Sequence, residues 1–173
     1  MPQLSFAQNL NVAPNGVPLL TAQSLNIFGF NLLDSISLKT IQVIVQQSAS
    51  TNATYSLSIG LYSLNGATLT LVNSASNSSS QSGVSRFYFS MTNTSATSNL
   101  TPGTWYFGLL LNTAGDNVFR VYGGTRSGGN AFPGGFIQGQ MTDATTQLPL
   151  SIATSNLNIT GVKFIEPYII LSS

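Results

Sequence analysis

Few residues in this chain could bind or transform a ligand, and those present are aromatic rings, amides and isolated charges. Cys and His are both absent, which removes the thiolate nucleophile, the commonest metal ligand and the commonest general base. The four acids Asp34, Asp116, Asp143 and Glu166 lie far apart in sequence and share no local motif. A glycosidase would need two of them facing each other across about 5–10 Å, and single acids in turns ordinarily hydrogen-bond their own backbone. No catalytic residue is assigned, and the chain is read as non-enzymatic. The segment "NTAGDN", Asn112 to Asn117, has oxygen ligands but one carboxylate and no EF-hand spacing, so it reads as a turn; no metal or cofactor is expected.

The densest loop signal is "GGTRSGGNAFPGG", Gly123 to Gly135. A phosphate cradle needs successive backbone N–H groups at a helix start, with a Lys and a Ser or Thr at fixed offset. This segment follows the apolar run "NVFRVY", leads into no helical pattern and contains no Lys. It is a connector or a recognition loop presenting Arg126, Asn130 and Phe132. Trp105, Tyr106, Tyr122, Phe132 and Phe136 could stack on the flat faces of neutral ligands such as sugars. Trp105 alternates in phase with Phe107 and Leu109, which points it into the core, so Tyr106 and Tyr122 are the aromatics expected at the surface. The candidate ligand contacts are therefore Tyr106, Tyr122, Arg126, Asn130 and Phe132.

The elements that must carry these residues are strands. Apolar and polar residues alternate with period two in "TYSLSIGLYS", where Tyr55, Leu57, Ile59 and Leu61 share one face, in "TIQVIVQQ" with Ile41, Val43 and Val45, and in "RFYFSM" with Phe87, Phe89 and Met91. "TWYFGLLLN" puts Trp105, Phe107, Leu109 and Leu111 together, yet its other face carries Tyr106, Gly108 and Leu110; the closing "KFIEPYIILS" is likewise apolar on both sides. Such strands are expected to be covered twice, the second time by neighbouring subunits. Asn65-Gly66 predicts a two-residue hairpin with Leu64 opposite Ala67, Tyr62 opposite Leu69 and Leu61 opposite Thr70. Pro102-Gly103 suits a type II turn launching the Trp105 strand. The runs "NSASNSSSQSG", Asn73 to Gly83, and "TNTSATSN", Thr92 to Asn99, are polar enough to read as surface loops.

Length and composition bound the remainder. The chain has 173 residues, enough for one core, and residues 24–173 are read as one β-sandwich domain behind an extended arm, residues 1–23. The fold class is all-β, an antiparallel β-sandwich of jelly-roll-like type. Only 5 % of residues are charged and the net charge is +1, which gives no long-range field for nucleic acid. Asn, Ser, Thr and Gln supply 68 residues, so the surface is solvated by neutral hydroxyls and amides, as suits close-packed or extracellular assemblies. The opening "MPQLSFAQNLNVAPNGVPLL" shows neither a basic leader nor a continuous apolar run, so no signal peptide or membrane insertion is expected. Sequons at Asn52, Asn77, Asn93, Asn99 and Asn158 follow from composition and are read as unmodified.

The stretch "SLSIGLYSLNGATLTLV", the Ser/Asn-rich run after it and "NLTPGTWYFGLLLN" resemble the β-sandwich domains of tailed-bacteriophage virion proteins: tail-fibre tips, receptor-binding modules, head fibres and decorations. The resemblance covers about residues 55–112 and the C-terminal strand. It implies a homotrimer without catalytic residues, an N-terminal segment, Met1 to Gln23, docked onto other virion proteins, and loops near Thr92 to Asn99 and Gly123 to Gly135 facing a host-surface glycan. Assembly in the host cytoplasm and release by lysis follow from the same likeness. No repeat-built shaft is present, which favours a short fibre, decoration or tail component. The alternative is a stand-alone carbohydrate-binding module or lectin of a bacterial surface.

Overall fold

The alternating segments fold as strands. The computed structural model describes residues 4–5, 19–20, 23–92, 98–113, 118–121, 123–126, 139–141, 146–157, 164–167 and 169–172. The strands are β1 (Leu4–Ser5), β2 (Leu19–Leu20), β3 (Leu25–Leu32), β4 (Ile36–Leu38), β5 (Thr40–Asn65), β6 (Thr68–Thr92), β7 (Ser98–Leu100), β8 (Gly103–Thr113), β9 (Val118–Val121), β10 (Gly123–Arg126), β11 (Gly139–Met141), β12 (Ser151–Ala153), β13 (Phe164–Pro167) and β14 (Ile169–Ser172), with a 3₁₀ turn at Thr154–Asn156. All pairings among the described residues are antiparallel. The arrangement is a curled antiparallel sheet built on the β5–β6 hairpin.

β5 is the spine. One edge pairs with β6 along most of its length, and the other takes β14 at Thr40–Val43, β9 at Val45–Ser48 and β8 at Tyr55–Tyr62 in turn. β8 passes the sheet on to β3, and β3 to β11. The register of β5 against β6 shifts between Ala49 and Ala53. Such an irregularity bends a strand and increases its twist, and Ile41 and Val43 from before it share one core with Tyr55, Leu57, Ile59 and Leu61 from after it. Leu4–Ser5 and Leu19–Leu20, within the segment expected as an arm, pair with β14 and β9.

Alternation decides which side chain goes where, and both faces of the sheet are buried. One face carries Tyr55, Leu57, Ile59 and Leu61 of β5, Phe107, Leu109 and Leu111 of β8, and Phe28 and Leu32 of β3, with Trp105 and Phe30 partly buried against them. The opposite face carries Tyr62, Tyr106, Leu110, Leu25 and Ile27, joined by Leu69, Ile152 and Leu157. Fully burying such aliphatic side chains contributes about 1.5–3 kcal/mol each before entropy is counted. The second apolar face of β8, expected to meet neighbouring subunits, is thus covered from within: Leu71, Met141 and Leu148 also pack on it. The double-sided apolar pattern is satisfied by the chain's own later segments.

Two expectations about the hairpin are corrected. The loop is Gly66–Ala67, one residue later than read from Asn65-Gly66: Asn65 stays in the ladder opposite Thr68, Leu64 faces Leu69, and Tyr62 faces Leu71. Gly66 has φ 59° while Ala67 does not share the left-handed region, the pattern of a II′ turn with Gly first. Val72 is then the extra residue of a bulge, since Leu61 pairs with Asn73. Sliding the pairing by two residues leaves every side chain on its face, so alternation did not discriminate between the registers and turn geometry did. The polar run Asn73 to Gly83, expected as a loop, lies within β6, held by the ladder from Ala53↔Gln81 to Leu61↔Asn73. Its partner strand buries enough apolar surface to hold hydroxyl-bearing residues in place, and Ser74, Ser76 and Ser78 point to solvent.

Candidate functional site

The ribbon of β3 and β8 turns a corner and continues as β4 and β7: Leu32 pairs with Gly103 before the corner, and Ile36 with Leu100 after it. Leu33, Asp34 and Ser35 span the corner on one strand, and Thr101 and Pro102 on the other. Gly103 opens β8 directly after Pro102, as expected, but its φ of 141° lies well beyond the roughly +80° of the second central residue of a type II turn, so the chain bends here without that turn. Beyond the corner, Leu38 and Leu100 fold back onto the first core, each 1 % exposed. The corner therefore closes the core and leaves its own outer residues in solvent, with Leu33 83 % exposed.

Beneath the corner sit the two aromatics whose burial is described and incomplete, Phe30 and Trp105. They are cross-strand partners. Phe30 stacks on Phe107 with centroids 4.5 Å apart and planes 10° from parallel, and Phe107 meets Phe28 at 6.1 Å and 43°. The Trp105 indole N–H donates to the Thr101 carbonyl at 2.9 Å, which satisfies its donor and fixes the ring relative to the turn. Two hydroxyl–amide bonds flank the corner: the Thr104 hydroxyl donates to Asn31 Oδ1 at 2.9 Å, and the Ser37 hydroxyl donates to Asn99 Oδ1 at 3.1 Å. All four of these residues are exposed. Each bond ties an amide oxygen to a hydroxyl on the neighbouring strand. The corner thus offers exposed amides, hydroxyl oxygens and a partly open indole, the groups that hold neutral polar ligands; its one carboxylate is Asp34.

Tyr106 requires a correction. It was expected at the surface and is 2 % exposed, on the second face of β8 with Leu110 and Tyr62. β11, β12 and the segment through Leu157 cover that face, and the alternation of β8 alone gave no sign of them. Trp105, read as core, does lie on the core face with Phe107 and Leu109, at its rim. Arg126 ends β10, opposite Phe164 in the β10–β13 ladder; Gly123–Arg126, read as part of the glycine loop, is therefore strand. Tyr122, Asn130 and Phe132 lie outside the described residues, as do Asp116 and Asp143. No group of three or more acids that could hold a metal occurs among the described residues. The sequence reading passed over Phe30, Asn31 and Ser37 and had Asn99 only as the end of a loop expected to face a glycan, whereas it lies in β7; the signal these residues share, pairing across a ribbon that bends at Pro102-Gly103, exists only in three dimensions.

Among the described residues, Tyr62 is a phenol held fully out of solvent, 0 % exposed. Desolvation pushes its phenol far above the usual tyrosine range, and the neutral hydroxyl donates to the Pro149 carbonyl at 3.1 Å. Its ring lies over the cross-strand pair Gly60↔Gly108: a Cβ at either glycine would come within 2.7 Å of Tyr62 Cε2. This tyrosine packs the core and anchors the Pro149 segment. No helix among the described residues is long and apolar enough to cross a membrane. Compared with known proteins, the chain matches no family model, no curated protein and no solved structure.

Proposed function

We propose that this chain is a non-enzymatic structural protein of a bacteriophage virion, a short fibre, decoration or tail component, that adheres to neutral glycans on the host surface. The observation that carries this reading is the corner formed by β3–β4 and β7–β8. There exposed amides and hydroxyls are held in fixed cross-strand pairs around a partly open Trp105, on a molecule with almost no charge. Such a surface recognises sugars by stacking and neutral hydrogen bonds and has no acid–base pair with which to cleave them. Two cores on opposite faces of one sheet support a layered, jelly-roll-like β-sandwich as the finer architecture. In this reading the first 23 residues contact other virion proteins, and Tyr122, Arg126, Asn130 and Phe132 form a second set of ligand contacts.

Adhesion without turnover is tested by incubating the purified chain with host-surface polysaccharide and following both binding and polymer length. The reading expects saturable binding, weakened about tenfold or more by Trp105→Ala, with the polymer uncut. Shortened polymer, with cleavage lost on changing one acid, would replace the reading by a glycanase. Binding with no association with particles would replace it by a free-standing lectin.

A further inference from the structure

The long hairpin is used unequally. β5 is paired on both sides, whereas on the outer side of β6 the paired strand among the described residues is β12, at Thr68–Thr70, with the Leu150 carbonyl accepting from the Leu71 N–H at 2.9 Å. From Ser74 onward that edge carries no paired strand among the described residues. Sheet edges of this kind are normally blunted by Lys, Pro, brevity or bulges. β6 contains no Pro and no Lys, and its one charge is Arg86. Its ladder to β5 runs unbroken from Asn73 to Gln81, between the bulge at Val72 and the irregularity facing Ala49 and Ala53. That leaves an uncharged edge of unbroken register about 30 Å long.

We propose that this edge, Ser74 to Ser80, pairs antiparallel with the same edge of a second copy of the chain, continuing the sheet across a two-fold axis near Asn77. In "SASNSSS" that axis sets Ser74 opposite Ser80, Ser76 opposite Ser78 and Ala75 opposite Ser79 of the second copy, all small residues. Serine hydroxyls bond one another across strands, and the exposed positions Ser74, Ser76 and Ser78 present nothing larger or charged to obstruct the approach. The two Arg86 residues stand at opposite ends of the seam, so no like charges meet. A two-fold contact is isologous and closes at two copies, which sets a dimer in place of the trimer implied by the resemblance to fibre proteins.

The inference stands on the edge of β6 and is separable from the virion reading. The test is light scattering behind size exclusion on the full chain over a concentration series. The expected mass is twice 18.2 kDa. The exposed-site double variant S76K/S78K places like charges opposite one another and is expected to run as a monomer with an unchanged melting temperature; S76E/S78E behaves the same way, and an equimolar mixture of the two regains the dimer. A wild-type monomer throughout, a wild-type trimer, or a dimer indifferent to both variants overturns the proposal. A dimer missing from purified particles would sink the virion reading alone, and a monomer found in particles would sink this one alone.

Discussion

At the residue scale, an aromatic ring in the core packs directly onto two glycines. Tyr62 fills the space above Gly60 and Gly108, so that neither position has room for a methyl group without moving the ring, and at Gly60 the Leu71 side chain is also in the way, at 2.8 Å. Overpacking of this kind costs about 1–3 kcal/mol. Gly108→Ala and Gly60→Ala are each expected to lower the melting temperature by about 2–4 °C per kcal/mol, measurable by thermal unfolding; unchanged melting would show that the ring is not seated there. The same tyrosine sets a pH limit. Its folded pKa is raised by burial, so the neutral form is favoured by folding. That stability is complete below about pH 10, the unfolded value, and is lost as pH rises from there toward the folded pKa. Tyr62→Phe, which also gives up a hydrogen bond worth about 1 kcal/mol, is expected to melt lower at pH 8 and to lose less stability than wild type between pH 9 and 11. Parallel pH–stability curves for the two proteins would contradict this assignment.

At the element scale, the hairpin and the corner depend on a few backbone positions. Gly66 at φ 59° and Gly103 at φ 141° have nothing within 4 Å of an added Cβ. Alanine at either is therefore penalised by conformation alone, by about 1–2 kcal/mol. Denaturant unfolding of Gly103→Ala should show that loss, while Ala67→Gly should change stability little. The strands and their faces were legible in the sequence because burial on one side imposes period two: Tyr55, Leu57, Ile59, Leu61, Phe107, Leu109 and Leu111 are all buried where alternation put them. Three things were not legible. The hairpin slid by two residues, a change invisible to alternation. The Ser-rich half of β6 has no pattern of its own and is a strand because β5 is one. Tyr106 looked like a surface aromatic because its cover comes from Leu148, Ile152 and Leu157, distant segments with no periodicity linking them to β8. The pairing at the candidate corner has the same cause as the last of these: Asn31 is an ordinary polar residue, and Asn99 the end of an expected loop, until the ribbon brings each to a hydroxyl partner.

At the scale of the whole molecule, the chain combines a closed interior with an unusually uncharged exterior. With 5 % charged residues, surface interactions are weakly sensitive to salt, so association with a particle or a glycan should persist from low to high ionic strength; binding that collapses between 50 and 500 mM salt would point to a charged ligand instead. Both faces of β8 are covered within the chain, so the proposed contacts with other molecules are assigned to the edge of β6 and the corner near Trp105, beside the N-terminal segment and the Arg126 region. The measurement that tests the account most directly is the protein composition of virions banded on a density gradient after lysis of the producing cells, quantified by mass spectrometry. The account predicts that this chain bands with the particles at a fixed ratio to the major capsid protein and stays with them through a high-salt wash. Its recovery only in the unbanded soluble fraction, at a level unrelated to particle number, would contradict a role in the virion.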